Sequence, residues 1–131
     1  MKKVIYIATA IFAVSFQLSC DKIDTACDEI KPTSALVDSL PDSIKVGEPY
    51  TIYVDYVLEN SCGSFEKFET TNTGDKLQIQ LITKYEGCNC DQTFTEEVAQ
   101  FDLLLEAPGY YSIEFWEDED DYNSFLVKGF E

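Results

Sequence analysis

The sequence predicts an all-β fold, an antiparallel sandwich of about seven strands, and three observations carry that reading. Apolar and polar residues alternate with period two in segment after segment from Ala35 onward. Gly, Pro, Asn and Asp interrupt those segments at short intervals, as turns between strands do. Only one stretch, Thr93 to Leu105, also fits a helical repeat.

The elements follow in chain order. Residues 1–19 hold Lys2 and Lys3, an apolar run from Val4 to Phe16, and then Leu18-Ser19 before Cys20. A positive start, an apolar stretch of about 7–15 residues and a small residue before the cut define a secretory signal. The run is too short to span a bilayer, which needs roughly 20 apolar residues. With Cys20 directly after Ser19, the segment resembles a bacterial lipoprotein signal. That resemblance implies that Cys20 becomes the first mature residue and carries the lipid. The competing reading is an ordinary signal cleaved after Ala13-Val14-Ser15, which would release a soluble protein.

Residues 20–34 are polar, contain Lys31-Pro32 and lack periodicity, so they read as a tether between anchor and domain. The domain itself is assigned to 35–131. Ala35–Val46 reads as a first, broken strand. It is followed by 50–58, where Ile52, Val54, Tyr56 and Leu58 share a face, by 64–71, and by 76–85 with Leu77, Ile79 and Leu81 against Gln78 and Gln80. Segment 93–105 is read as a strand because Phe101-Asp102-Leu103 alternates into Ala107-Pro108-Gly109. A helix starting at Thr95-Glu96-Glu97, with Val98, Phe101 and Leu105 on one face, is the alternative. The last two strands are 110–116, with Tyr111, Ile113 and Phe115 inward, and 122–130.

Within this pattern, Ala107-Pro108-Gly109-Tyr110-Tyr111 is similar to the tyrosine corner of immunoglobulin-like domains, with Gly109 in the turn and Tyr111 as the corner residue. Ile113 stands where antibody domains place a cysteine, so the inter-sheet disulfide of those domains is not expected here. Taken with the signal and the tether, the chain resembles the small immunoglobulin-like lipoproteins of Gram-negative bacteria of the Bacteroidota type. That resemblance implies a lipid-anchored location at the outer membrane, facing the periplasm or the cell surface. Asp21 and Asp24 around Lys22 are similar to a thin version of the export signals of that group. Asp21 directly after the cysteine departs from the outer-membrane pattern of enteric lipoproteins.

Composition narrows the function. The chain is strongly acidic, and loss of residues 1–19 takes the formal charge from −16 to −18, because Lys2 and Lys3 go and no acid does. Nucleic acid is therefore not an expected partner, since its binding relies on cations neutralising phosphates. There is no His and no Arg. Triads built on histidine and bidentate arginine clamps are both excluded. The expectation is a non-catalytic binding or structural module whose partners are the membrane, through its lipid, and an envelope protein or a glycan. A calcium-dependent adhesive domain, and a small enzyme using carboxylates or a thiol, are the alternatives.

Two clusters carry possible chemistry. Five cysteines are present, and lipidation of Cys20 leaves an even four, Cys27, Cys62, Cys88 and Cys90. These read as two disulfides in an oxidising compartment. Cys88–Cys90 would close too small a ring, so Cys62 is expected to bond one of that pair and Cys27 the other. Zinc ligation or thiol redox chemistry would favour Cys-x-x-Cys spacing, which does not occur. The second cluster is Glu117-Asp118-Glu119-Asp120-Asp121. Calcium would relieve the repulsion among these carboxylates, making Asp118, Asp120 and Asp121 candidate ligands. The plain alternative is a solvated hairpin tip. Tyr53, Tyr85, Tyr110 and Trp116 fall on polar faces or strand ends and form a candidate binding platform.

Overall fold

The computed structural model describes residues 27–131. Cys20 and the proposed signal lie outside the described residues. Eight strands form, β1 (Glu29–Thr33), β2 (Ser43–Lys45), β3 (Tyr50–Leu58), β4 (Gly63–Thr73), β5 (Lys76–Tyr85), β6 (Thr95–Leu103), β7 (Gly109–Asp118) and β8 (Asp121–Phe130). They make a β-sandwich of unequal sheets. One sheet has six strands in the order β1-β5-β7-β8-β2, with β4 on the other edge of β5. The second has only β3 and β6.

The core lies where period two points it. Ile52 and Val54 of β3 and Ala99 and Leu103 of β6 face Ile79 and Leu81 of β5, Ile113 and Phe115 of β7, and Val127 of β8. Each strand keeps the opposite parity for solvent, which is how a half-buried strand satisfies both sides at once. Strand β5 departs from strict alternation. Leu81, Ile82 and Thr83 are consecutive and buried, as in an interior strand covered on both faces.

Segment 93–105 is a strand over Thr95–Leu103, in unbroken antiparallel register with β3 from Tyr50↔Leu103 to Leu58↔Thr95. Pairing with β3 buries Ala99 and Leu103, and a helix would have put neither on a common face with Phe101.

Three features differ from the sequence reading. Glu29–Thr33, placed in the tether, forms β1 against β5, where Thr33 and the buried Thr83 share a hydroxyl hydrogen bond of 2.6 Å. Pro32 fits because β1 is bonded along one side only. The expected strand across 35–46 is broken into pieces that change sheet. The Ala35 amide donates to Trp116 O on the six-stranded sheet, Leu36 and Asp55 exchange two backbone bonds of 2.9 Å on the other sheet, and the chain returns as β2 beside β8. Finally, two pairings are parallel, β2 with β8 and β5 with β7, the latter over Lys76–Ile79 alone. Beyond Ile79, β1 takes over that edge of β5, starting at Thr33↔Leu81.

Glu114 on β7 is the buried acid of the described residues. Its carboxylate accepts a 2.9 Å bond from Gln78 Nε2 and lies 3.3 Å from Lys76 Nζ. The bond from Gln78, then Lys76 and Ser112, hold its pKa below the ordinary 4.5 against the opposing pull of burial. A depressed carboxyl contributes stability that is present above the unfolded pKa and lost as pH falls through the folded one. The melting temperature of Glu114→Gln is therefore expected below that of the parent at pH 6 to 7. The gap should close on acidification below 4.5, and a gap independent of pH would contradict this account.

Candidate functional site

The cysteines gather at one end of the sandwich. Cys27 bonds Cys88 and Cys62 bonds Cys90, so the loop after β5 is stapled both to the entry of β1 and to the β3–β4 turn. Backbone bonds reinforce the knot. The Gly87 amide donates to Asp28 Oδ1 at 2.9 Å, and Ser61 and Asp91 exchange bonds through the Ser61 Oγ and the Asp91 carbonyl. All four thiols are consumed, so neither zinc ligation nor thiol chemistry has a free sulfur here.

At the opposite corner, the Tyr111 hydroxyl donates to Ala107 O at 2.6 Å, the bond by which a tyrosine corner fastens a crossing loop. Gly109 sits at φ +143°, a conformation that suits glycine. The acidic hairpin gives no metal site. Asp118 and Asp121 pair across the ladder and Glu119-Asp120 forms the tip, while Asp118 Oδ1 accepts the Glu119 amide at 2.7 Å. Among the described residues no three His, Cys, Asp or Glu side chains converge on a point that would hold a cation. The candidate ligands Asp118, Asp120 and Asp121 are thus not brought together, because a two-residue turn lets its carboxylates spread into solvent.

The aromatic candidates separate. Tyr85 is buried, with Lys31 Nζ 5.1 Å over its ring and its hydroxyl accepting the Glu59 amide. Its ring also lies against the β4 start, where a Cβ on Gly63 would come within 2.6 Å of Tyr85 Cε1. Tyr110 is exposed on the far sheet beneath Lys128. Tyr53 is 62% exposed, on the outer face of the two-stranded sheet.

That outer face gathers several exposed apolar side chains. Thr51, Tyr53, Asp55 and Val57 of β3 lie opposite Asp102, Gln100, Val98 and Glu96 of β6. Beside them are Leu36, 48% exposed, and Phe94, 75% exposed, while Val98 itself is 58% exposed. Two open recesses meet at Leu36 and Val57. One, of about 430 Å³, runs past Pro32, Phe94 and Trp116; the other, of about 470 Å³, past Tyr56, Glu96 and Val98. Tyr56 projects from the core side, and its phenol is held above the ordinary pKa by burial first and then by the Glu97 carboxylate. Leu36, Phe94 and Val98 escaped the sequence reading. The available signal was a valine standing on the polar parity of β6, between Glu96 and Gln100.

Glu59 is paired with Lys31 where both line the first recess, and the remaining acids around this face are uncompensated. Every described lysine is occupied elsewhere, with Lys31 on Glu29 and Glu59, Lys45 on Glu48, Lys67 on Glu69, Lys76 on Glu114, Lys84 on Glu86, and Lys128 on the Tyr110 ring. Glu96, Glu97 and Asp102 have no cationic partner among the described residues.

A family model, the ORF11 beta-sandwich domain, matches residues 52–127, which is more than half of the chain and runs from β3 into β8. The chain belongs to the ORF11 beta-sandwich domain family. No curated protein and no solved structure matches it.

In this ORF11 beta-sandwich domain the matched region contains both strands of the small sheet, the β3–β4 and β5–β6 loops, and three of the four bonded cysteines. Strands β1 and β2 and Leu36 lie before it. The Cys27–Cys88 staple joins the preceding segment to the matched region at the loop between β5 and β6. Chemically, the face offers apolar area, a tyrosine and carboxylate oxygens, which are groups for docking.

Proposed function

We propose that this domain is a non-catalytic binding module of the bacterial envelope, lipid-anchored through Cys20 to the outer membrane, that presents the β3–β6 face to a protein partner. The observation that carries the reading is the contiguous exposure of Leu36, Tyr53, Phe94 and Val98 on a sheet of only two strands. Monomeric proteins seldom leave such apolar patches open to water, and a polar rim around one marks a docking surface. The Cys27–Cys88 disulfide ties the loop that enters β6 to the segment that leads back toward Cys20.

Two measurements test it. Intact mass of the purified full chain should show a mature start at Cys20 carrying acyl groups, and Cys20→Ser should move the protein out of the membrane fraction. In cells, a photo-crosslinking side chain at Tyr53 should capture one defined protein, and Val98→Glu should abolish that product. The same side chain at Ser124, on the outer face of the larger sheet, should capture none. Equal products from both positions, or none from Tyr53, would overturn the reading.

A further inference from the structure

We propose that the free edge of β6 accepts an extended partner segment of alternating basic and apolar residues, added as a third strand to the two-stranded sheet. The proposal deepens the binding-module reading and rests on it. Three independent observations lead to it.

The first is the direction of the backbone groups. Leu36 and Asp55 exchange two backbone bonds on the side of β3 away from β6. In an antiparallel ladder, opposite residues alternate between bonded and non-bonded pairs. Asp55↔Val98 is thus a non-bonded pair, and Val98 directs its amide and carbonyl away from β3. By the same parity Glu96, Gln100 and Asp102 do so too. Among the described residues these groups have no backbone partner. Strand β6 runs nine residues with no proline, lysine or bulge, so what guards its edge is charge alone, in Glu96, Glu97 and Asp102, which a basic partner would neutralise.

The second is an overhang. The six-stranded sheet continues past β5 to β4, which meets the small sheet through its rings, Phe68 on Phe101 and Phe65 on Tyr56 at 6.4 Å, with no strand of that sheet beyond β6. The bulge between Phe65 and Lys67 puts Phe65 and Phe68 on the same, inward side. Phe68 meets Phe101 at 5.1 to 5.2 Å between neighbouring ring centroids in the row Phe65–Phe68–Phe101, and Phe65 remains 40% exposed. Neighbouring strands lie about 4.8 Å apart and stacked sheets about 10 Å apart, so a strand beside β6 would lie over β4. Its inward side chains would cover the two phenylalanines.

The third is charge. The outward side chains of the added strand would stand beside Glu96, Val98, Gln100 and Asp102, two of them uncompensated acids. Lysine or arginine there completes cross-strand pairs. A second copy of this chain is disfavoured. Two β6 edges paired antiparallel about Ala99 set Glu96 against Asp102, between chains that each carry −16. Strand addition of this kind takes affinity from main-chain bonds and selectivity from alternate side chains.

The test uses the full chain in lipid nanodiscs and a blocked heptapeptide of alternating lysine and valine, with a glutamate–valine peptide as control. In antiparallel addition the lysine side chains face the same way as Glu96 to Asp102, so the lysine amides bond to β6 and the valine amides point away. Amide exchange at Val98 and Gln100 should slow at least tenfold with the basic peptide and not with the acidic one. N-methylation of the lysine amides should weaken binding at least tenfold, whereas N-methylation of the valine amides should leave it unchanged. Gln100→Pro removes an outward amide without touching the β3 bonds and should also lose tenfold, with Gln100→Thr binding as the parent does. Equal binding of both methylated peptides, no change in β6 exchange, or no binding of the basic peptide would overturn strand addition. If the Tyr53 crosslink persists in that case, the binding-face reading survives alone. If the edge is protected and Tyr53 captures nothing, the outcome is the reverse.

Discussion

Replacing Cys27 and Cys88 together by serine is expected to remove about 4 kcal/mol of stability, because their bond closes a loop with a sequence separation of 61. The corresponding loss for Cys62 and Cys90, at a separation of 28, is about 3.5 kcal/mol. The two bonds share the 87–91 loop, so their losses should not add fully. A domain of this size holds roughly 5–15 kcal/mol in all. The Cys27/Cys88 variant should therefore melt roughly 15–30 °C lower. Calorimetry of the two variants checks both the drop and its order. An unchanged melting temperature, or a larger drop for Cys62/Cys90, would contradict the loop-closure account. The Cys27–Cys88 bond ties the entry of β1, itself paired with β5, to the loop that leads into β6.

Phe115→Ala is expected to destabilise by about 4 kcal/mol. Phe115 is fully buried between the sheets and meets the Phe125 ring edge-on at 6.3 Å. Its removal takes away the transfer energy of the ring and leaves a cavity between two sheets whose spacing is set by every other inward residue. The urea midpoint should fall while the slope of the transition stays constant. Phe94→Ala serves as the contrast. Phe94 is exposed, so its loss should change the midpoint little.

Much of the fold was legible in the alternation. Ile52, Val54, Tyr56 and Leu58, then Ile79 and Leu81, then Ile113 and Phe115, are inward as their spacing requires, and the Ala107–Tyr111 bond formed where Pro108-Gly109 placed a turn. The disulfide partners were half legible. The short Cys88–Cys90 ring could be excluded, but choosing between the remaining pairings needed the meeting of the chain entry with the 87–91 loop. The acidic hairpin was legible as charge but not as geometry, because a run of carboxylates says how many charges are near one another in sequence and nothing about which way a turn aims them. Tyr85 stands at the end of β5 on the same parity as Ile79 and Leu81, and it is buried with them, its ring covered by Lys31 and the β4 start.

The candidate site was hardest to read. Val98 follows two glutamates and Leu36 sits within Ala35-Leu36-Val37, and neither marks a surface until the crossing at Leu36–Asp55 sets them side by side. The bulge in β4 left no mark in Gly63-Ser64-Phe65-Glu66-Lys67-Phe68 beyond two phenylalanines three apart, a spacing that strict alternation sends to opposite faces.

What the sequence determined alone was local: the two-residue period that makes strands, the turn residues that end them, and a charge balance without His or Arg. These depend on each residue and its near neighbours, so they are written in order along the chain. Which strand lies beside which, that one sheet takes six strands and the other two, and that β6 is left with an unpaired acidic edge above Phe65 and Phe68, depend on contacts between residues far apart in sequence. Hydrogen-bond directions and sheet overhang are properties of a pairing, and they exist only once the chain has closed on itself.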